Sequence, residues 1–82
     1  MKILLNVFIP SIGEDYDLLI PDSLPVGEIV PLLIEAVKEK TSDFYQSSGE
    51  EILNWEGAGM ALDTALTLSQ YGIRNGDRLI LI

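Results

Sequence analysis

The sequence predicts an α+β fold in which one helix packs on one face of a mixed β-sheet. An alternating apolar pattern over residues 2–9 and 16–20 gives way to a helical pattern over residues 26–40, and short strand-like segments follow. The predicted order is β-β-α-β-β-β, which satisfies the two-layer architecture of small domains. Because the 82 residues contain no linker, repeat or low-complexity tract, we expect residues 1–82 to form a single domain.

The first two strands are expected to pair as an antiparallel hairpin. In residues 2–9 the odd positions are all aliphatic, so they are assigned to the core, and the even positions face outward. Residues 10–15 contain Pro and Gly, which predict a turn. The second strand covers residues 16–20, with Leu19 on its outward side. The short connection between the two strands favours direct pairing.

From Val26 the apolar residues recur with the helical period, and the helix is expected to end near Lys40. Pro25 suits a helix start, because the N–H that proline lacks would have no hydrogen-bond partner at that position. Pro31 falls in the second turn, where it cannot donate to the carbonyl of Gly27. We therefore expect a distorted first turn or a late start of the helix.

The second half of the chain predicts short elements joined by loops. Residues 41–50 are polar and predict a loop whose order the sequence does not determine. Strands are expected at residues 51–55 and 60–62, and a helical turn at residues 66–71. A last strand over residues 78–82 completes the sheet. The five strands and one main helix account for the predicted α+β architecture.

The turn before the last strand has the most specific pattern in the chain. Two glycines flank Ile73, and an Asn-Gly-Asp run leads into the strand. Both glycines are expected to have positive φ, because the chain must reverse quickly and only Gly does so without steric cost. The residues assigned a structural role in this turn are Gly72, Asn75, Gly76 and Asp77.

This closing turn and strand resemble those of a ubiquitin-like β-grasp domain. A narrower resemblance is to the YukD/EsaB family, carried by residues 16–21 (YDLLIP), 24–26 (LPV) and 72–79 (GIRNGDRL). The last segment is similar to the family's closing Gly-Ile-x-Asn-Gly-Asp-x-Leu. The resemblance extends over nearly the whole chain, with residues 10–15 and 41–50 unaligned.

The YukD/EsaB family comprises small bacterial ubiquitin-like proteins associated with the type VII (WXG100, ESAT-6-like) secretion system. The resemblance implies a cytoplasmic accessory or regulatory protein that acts by binding, with no catalytic residues to carry over. Ubiquitin-type modifiers and sulfur carriers are conjugated through a diglycine tail after the last strand. The 82 residues contain no diglycine, so the expectation is a non-conjugating protein.

Composition limits the chemistry that the chain can perform. It has no Cys and no His, which removes thiolate catalysis, zinc–thiolate sites and the commonest general base. Five basic against thirteen acidic residues give a net charge of −8, which disfavours binding to nucleic acid. No apolar run approaches the length of a membrane span. We expect no enzyme activity, no cofactor, no metal and no membrane insertion.

The outward strand positions are the candidate functional surface. Single exposed apolar residues are common, but a contiguous apolar patch usually marks an interface. On the sheet face opposite the helix, the sequence predicts a continuous apolar surface that binds a protein partner, with some self-association. Its residues are Leu4, Phe8, Leu19, Leu53, Ile80 and Ile82, and Leu53 is placed there by analogy with ubiquitin.

The primary hypothesis is therefore a non-conjugating ubiquitin-like binding component of a type VII secretion system. One alternative is an unrelated β-grasp adaptor or a subunit of an enzyme complex. The other alternative is a ubiquitin-like modifier or sulfur carrier, against which the missing diglycine argues.

Overall fold

The computed structural model describes residues 1–82 and shows the predicted α+β architecture, a mixed five-stranded sheet with one main helix. The elements are β1 (Lys2–Ile9), β2 (Glu14–Pro21), α1 (Val26–Lys40), β3 (Leu53–Trp55), β4 (Met60–Ala61), α2 (Leu68–Tyr71) and β5 (Arg78–Leu81). The strand order in the sheet is β2-β1-β5-β3-β4. β1 and β5 run parallel at its centre, and every other neighbouring pair is antiparallel.

The core lies between the sheet and α1. The odd positions of β1 are buried, as the alternation predicts, and so is the apolar stripe of α1. Burying one such aliphatic side chain contributes roughly 1.5–3 kcal/mol before the loss of conformational entropy. All sixteen buried side chains belong to hydrophobic residues: Ile3, Leu5, Val7, Ile9, Ile20, Val26, Ile29, Leu33, Val37, Tyr45, Leu53, Leu62, Leu68, Ile73, Leu79 and Leu81.

The helix α1 passes through Pro31 without interruption. It begins at Val26, so the expected late start is not observed. Pro31 and Gly27 both lie on the exposed side of the helix. The carbonyl of Gly27, which loses its helical donor, can therefore bind water. Burial of the opposite helix face then outweighs the loss of one backbone hydrogen bond.

The segment before α2 covers the start of α1. The N–H groups of Val26 and Gly27 donate to the carbonyls of Leu66 and Thr64, at 2.8 and 2.9 Å. These donors would otherwise be unpaired at a helix N-terminus. A Cβ at Gly27 would lie 3.2 Å from the Thr64 carbonyl oxygen, so the close approach favours glycine at this position. The segment thereby sets the position of α2 and of the turn that follows it.

The helix α2 begins and ends with well-formed caps. Thr67 and Gln70 form a capping box, in which each side chain accepts a hydrogen bond from the other residue's backbone N–H. The helix ends at Gly72, which has φ +79° in the left-handed region. This cap directs the chain into the turn before β5.

Candidate protein-interaction surface

The outer sheet face, opposite α1, is organised in rows that cross the strands. In the sheet register, Leu4 is opposite Leu19, Phe8 is opposite Ile80, and Asn6 is opposite both Asp17 and Arg78. Since side chains directly opposite each other share one face, each row can be followed from strand to strand. On the central strands β1 and β5, apolar and polar rows alternate along the sheet, and the row of Phe8 and Ile80 continues to Asp15 on β2 and Asn54 on β3.

One apolar group lies where β1 and β5 approach their C-terminal ends. We call it the isoleucine cluster; its residues are Phe8, Ile52, Ile80 and Ile82. Ile52 and Ile82 exchange two backbone hydrogen bonds of 2.8 and 2.9 Å, which places them side by side. They are 52% and 64% exposed, whereas Phe8 and Ile80 are half-buried.

A second apolar group, a pair of leucines, lies on the same face toward the N-terminal end of β1. Leu4 on β1 and Leu19 on β2 are cross-strand neighbours, with exposures of 46% and 66%. Leu4, Phe8, Leu19, Ile80 and Ile82 thus have the outward orientation that the alternation predicts.

A polar row separates the two apolar groups, so the expected continuous apolar surface is wrong. The row consists of Asp17, Asn6, Arg78 and Glu56. Asn6 Nδ2 donates to Asp15 Oδ2 at 2.7 Å and to Asp17 Oδ1 at 3.1 Å. β2, β1 and β5 each contribute one polar residue at the same level of the sheet, and Glu56 follows the end of β3. No single strand shows this band, because the register between strands creates it.

Arg78 is the centre of the polar row. Its Nη1 lies 3.5 Å from Glu56 Oε2, and its guanidinium carbon lies 4.7 Å from the centroid of the Phe8 ring. Its Nε is buried and has no hydrogen-bond partner. The guanidinium therefore covers part of Phe8, which accounts for the limited exposure of that ring.

The outward orientation expected for Leu53 is wrong. Leu53 is opposite Leu81 in the ladder between β3 and β5, and both side chains are buried at 1% exposure. Since Leu81 belongs to the core, the residue opposite it faces the core as well. Ile52 takes the outward position that the sequence analysis gave to Leu53. A shift of one residue moves a strand's side chains to the other face of the sheet.

The turn before β5 connects this strand to β1. Gly72 and Gly76 have φ of +79° and +88°, as predicted. Asn75 Oδ1 accepts from the N–H of Leu4 at 2.7 Å, and the N–H of Gly76 donates to the carbonyl of Leu4 at 2.9 Å. Asp77 Oδ2 accepts from the N–H of Arg74 at 2.8 Å, closing the turn. These contacts hold β5 in the register that builds the outer face.

A buried tyrosine in the polar loop was missed by the sequence analysis. Tyr45 is 6% exposed, and its hydroxyl donates to Glu51 Oε2 at 2.8 Å. Burial, followed by the hydrogen bond and charge of Glu51, raises the pKa of Tyr45 to about 12. The only signal in the sequence was the aromatic pair Phe44-Tyr45 in an otherwise polar stretch, and of the two only Tyr45 is buried. Tyr45 attaches the loop to the core.

Glu51 is the acceptor in this contact. Burial pushes the pKa of Glu51 upward, but hydrogen bonds from the Tyr45 hydroxyl and the Gly49 N–H outweigh it and lower the pKa below its usual value. Among the 82 residues, no group of three or more acidic side chains is arranged to hold a metal ion. No helix in the structure is both long and apolar enough to cross a membrane.

Comparison with protein families identifies the chain. The model of the WXG100 protein secretion system (Wss) protein YukD matches residues 4–81. The chain belongs to the YukD family. No curated protein sequence matches it.

Solved structures similar to this YukD-family chain are ubiquitin-like domains. The EccD5 ubiquitin-like domain from Mycobacterium xenopi has a TM-score of 0.84 at 16% identity, covering 100% of this chain and 93% of that one. A chain of the MycP5-free ESX-5 inner membrane complex has a TM-score of 0.83 at 18% identity, over 99% of this chain and 20% of that one. Caldiarchaeum subterraneum ubiquitin has a TM-score of 0.75 at 19% identity, over 100% and 92%. These similarities show the ubiquitin-like fold.

Proposed function

We propose that this YukD-family protein is a cytoplasmic accessory component of a WXG100 (type VII) secretion system that binds a protein partner without catalysis or conjugation. The observation that carries the proposal is the isoleucine cluster on the outer sheet face. Ile52 and Ile82 are large aliphatic side chains, each more than half exposed, beside Phe8 and Ile80. A cluster of this kind on a small domain usually marks an interface.

Two comparisons support a partner within the secretion machinery. The family match names a protein of the WXG100 system. A domain similar to this chain forms part of a longer chain in the ESX-5 inner membrane complex. We therefore propose that the partner belongs to the membrane-associated part of the secretion apparatus. Covering the isoleucine cluster would remove apolar surface from water at about 25 cal/mol per Å².

The test uses a double variant of the two most exposed members of the cluster, Ile52→Asp with Ile82→Asp. It is expressed in cells that carry the protein's own secretion system. The matched control is Phe44→Asp, which changes an aromatic side chain that is 73% exposed and outside the sheet. The measurements are co-purification with the membrane components and export of WXG100 proteins.

We expect the double variant to lose co-purification and to reduce export, while Phe44→Asp behaves as wild type. Phe44→Asp should keep the wild-type melting curve within a few degrees, because its side chain is largely exposed. The double variant should melt roughly 10 °C lower but remain folded at the assay temperature, because each half-buried isoleucine contributes about 1 kcal/mol. Wild-type co-purification of a folded double variant would refute the role of the cluster. Sedimentation of both proteins tests whether the same cluster also mediates self-association.

The non-conjugating part of the proposal has a separate test. The purified protein is incubated with ATP and a ubiquitin-type activating enzyme, and the products are analysed by mass spectrometry. We expect neither an adenylate nor a thioester. A covalent adduct at the C-terminal carboxylate would contradict this part of the proposal and leave the binding role of the sheet face to be judged by the first test.

A further inference from the structure

The strand β2 is an edge of the sheet, and its outer side has free backbone groups. In the antiparallel ladder with β1, the N–H of Asp22 donates to the carbonyl of Met1 at 2.9 Å. Because hydrogen-bonded pairs alternate, the even residues of β2 point their N–H and C=O groups toward β1. The N–H and C=O groups of Asp15, Asp17 and Leu19 therefore point away from the sheet. Pro21 has no N–H and ends this edge.

An apolar groove lies beside this edge, between β2 and α1. It has a volume of about 230 Å³. Its lining includes Leu18, Ile20, Ile29, Leu33 and Ala36, with Leu32 at the rim and Lys2 as the only charged residue. Leu32 is 51% exposed in a helix whose outer face is otherwise rich in glutamates. Leu32 therefore lies among apolar neighbours at the groove, although it is exposed to solvent.

We propose that the β2 edge and this groove, together called the edge groove, bind an extended basic and apolar segment of a partner protein as an additional strand. When a peptide adds a strand to an open sheet edge, main-chain hydrogen bonds provide the affinity and alternate side chains provide the specificity. Side chains of the added strand on the helix side would enter the groove. Those on the outer side would lie opposite Leu19, Asp17 and Asp15. An apolar residue followed by two basic residues at alternate positions matches this surface.

The charge of the edge selects this occupant over a second copy of the chain. Pairing two β2 strands antiparallel would bring Asp15 and Asp17 of both copies onto one face. Each copy also has a net charge of −8. The acidic edge attracts a basic segment, whereas it repels a second copy of the chain. The edge groove and the isoleucine cluster share no residue, although Asp15 is the cross-strand neighbour of Phe8, so this inference does not rest on the proposed function.

The test uses a synthetic peptide with the core Leu-Val-Ile-Lys-Val-Lys. When the peptide runs antiparallel to β2, its first residue lies opposite Ile20 and its last residue lies opposite Asp15. The reversed peptide tests the parallel orientation, and Leu-Val-Ile-Glu-Val-Glu is the charge control. Binding is followed by NMR titration and amide hydrogen exchange on the full chain. We expect exchange at Asp17 and Leu19 to slow on binding, while Leu18 and Ile20, already paired with β1, change little.

Two variants make the test specific. Leu19→Pro removes an outward N–H and should weaken binding of the basic peptide at least fivefold. The double variant Asp15→Lys with Asp17→Lys should no longer bind the basic peptide and should bind the glutamate peptide instead. This gain of binding tests the proposal even if Leu19→Pro fails to fold. Ile82→Asp, in the isoleucine cluster, should bind the basic peptide as wild type does. Absence of alternating protection at millimolar concentrations of both basic peptides would overturn the proposal.

Discussion

Leu53, the first residue of β3, and Ile52 directly before it provide a sharp test of which face of the sheet is buried. Leu53 is 1% exposed and Ile52 is 52% exposed. Leu53→Ala and Ile52→Ala each remove three carbon atoms, worth about 0.8 kcal/mol per fully buried CH₂ group. At Leu53 the loss is about 2.4 kcal/mol for transfer, and the cavity left behind raises it toward about 5 kcal/mol. At Ile52 about half of the transfer loss applies and no enclosed cavity forms, so we expect about 1 kcal/mol.

The assay is urea denaturation followed by circular dichroism and by the fluorescence of Trp55, which is the only tryptophan. A domain of this size has a total stability of roughly 4–12 kcal/mol, so Leu53→Ala should shift the midpoint strongly or leave the chain partly unfolded. Equal m-values for Ile52→Ala and the wild type would show that a change in midpoint reflects stability. If Ile52→Ala costs as much as Leu53→Ala or more, the register between β3 and β5 is not the one described.

Three further predictions concern the turn and the loop. Gly76→Ala should lower the free energy of unfolding, measured by urea denaturation, by about 1–2 kcal/mol, because φ is +88° and an alanine there is strained although no atom blocks its Cβ. Gly76→Asn should lower it less, and equal stability of Gly76→Ala and the wild type would contradict this. Asn75→Ala should cost about 1 kcal/mol by leaving the Leu4 N–H without its side-chain acceptor, whereas Asn75→Asp, which keeps an acceptor oxygen, should cost less. Because the pKa of Tyr45 rises from 10.0 to about 12 on folding, the unfolded chain loses this proton first, and stability should fall as the pH rises through that interval. Tyr45→Phe should remove that part of the pH dependence and cost about 1 kcal/mol at neutral pH; an unchanged alkaline profile would refute it.

Elements with a long, regular apolar period could be predicted from the sequence. β1 has aliphatic residues at all four of its odd positions, and α1 has fifteen residues with an apolar stripe. In such segments most residues support the same assignment of faces, so an irregular residue such as Leu4 or Pro31 does not change it. The glycines of the closing turn were predictable for a different reason, since only glycine suits a φ near +80°.

Short elements could not be predicted in the same way. β3 has three residues, and the run Ile52-Leu53 offers an apolar side chain to either face. Its orientation is determined by pairing with β5, a contact between residues far apart in the sequence. The polar row was missed for the same reason, because Asn6, Asp17 and Arg78 become neighbours only through the register. Tyr45 belongs to no periodic element, so no pattern could predict its burial.

The arrangement of charge gives the two proposed surfaces different chemistry. Beside the isoleucine cluster, Arg78 is held over Phe8 and paired with Glu56. Both side chains of this ion pair are partly exposed, and such pairs contribute about 0–1 kcal/mol, so a partner could replace Glu56 with its own carboxylate at little cost. The edge groove instead presents the carboxylates of Asp15 and Asp17. A partner with an acidic group beside an apolar anchor fits the sheet face, whereas a basic extended segment fits the edge. Because the two proposed surfaces share no residue and favour groups of opposite charge, each should select a different partner.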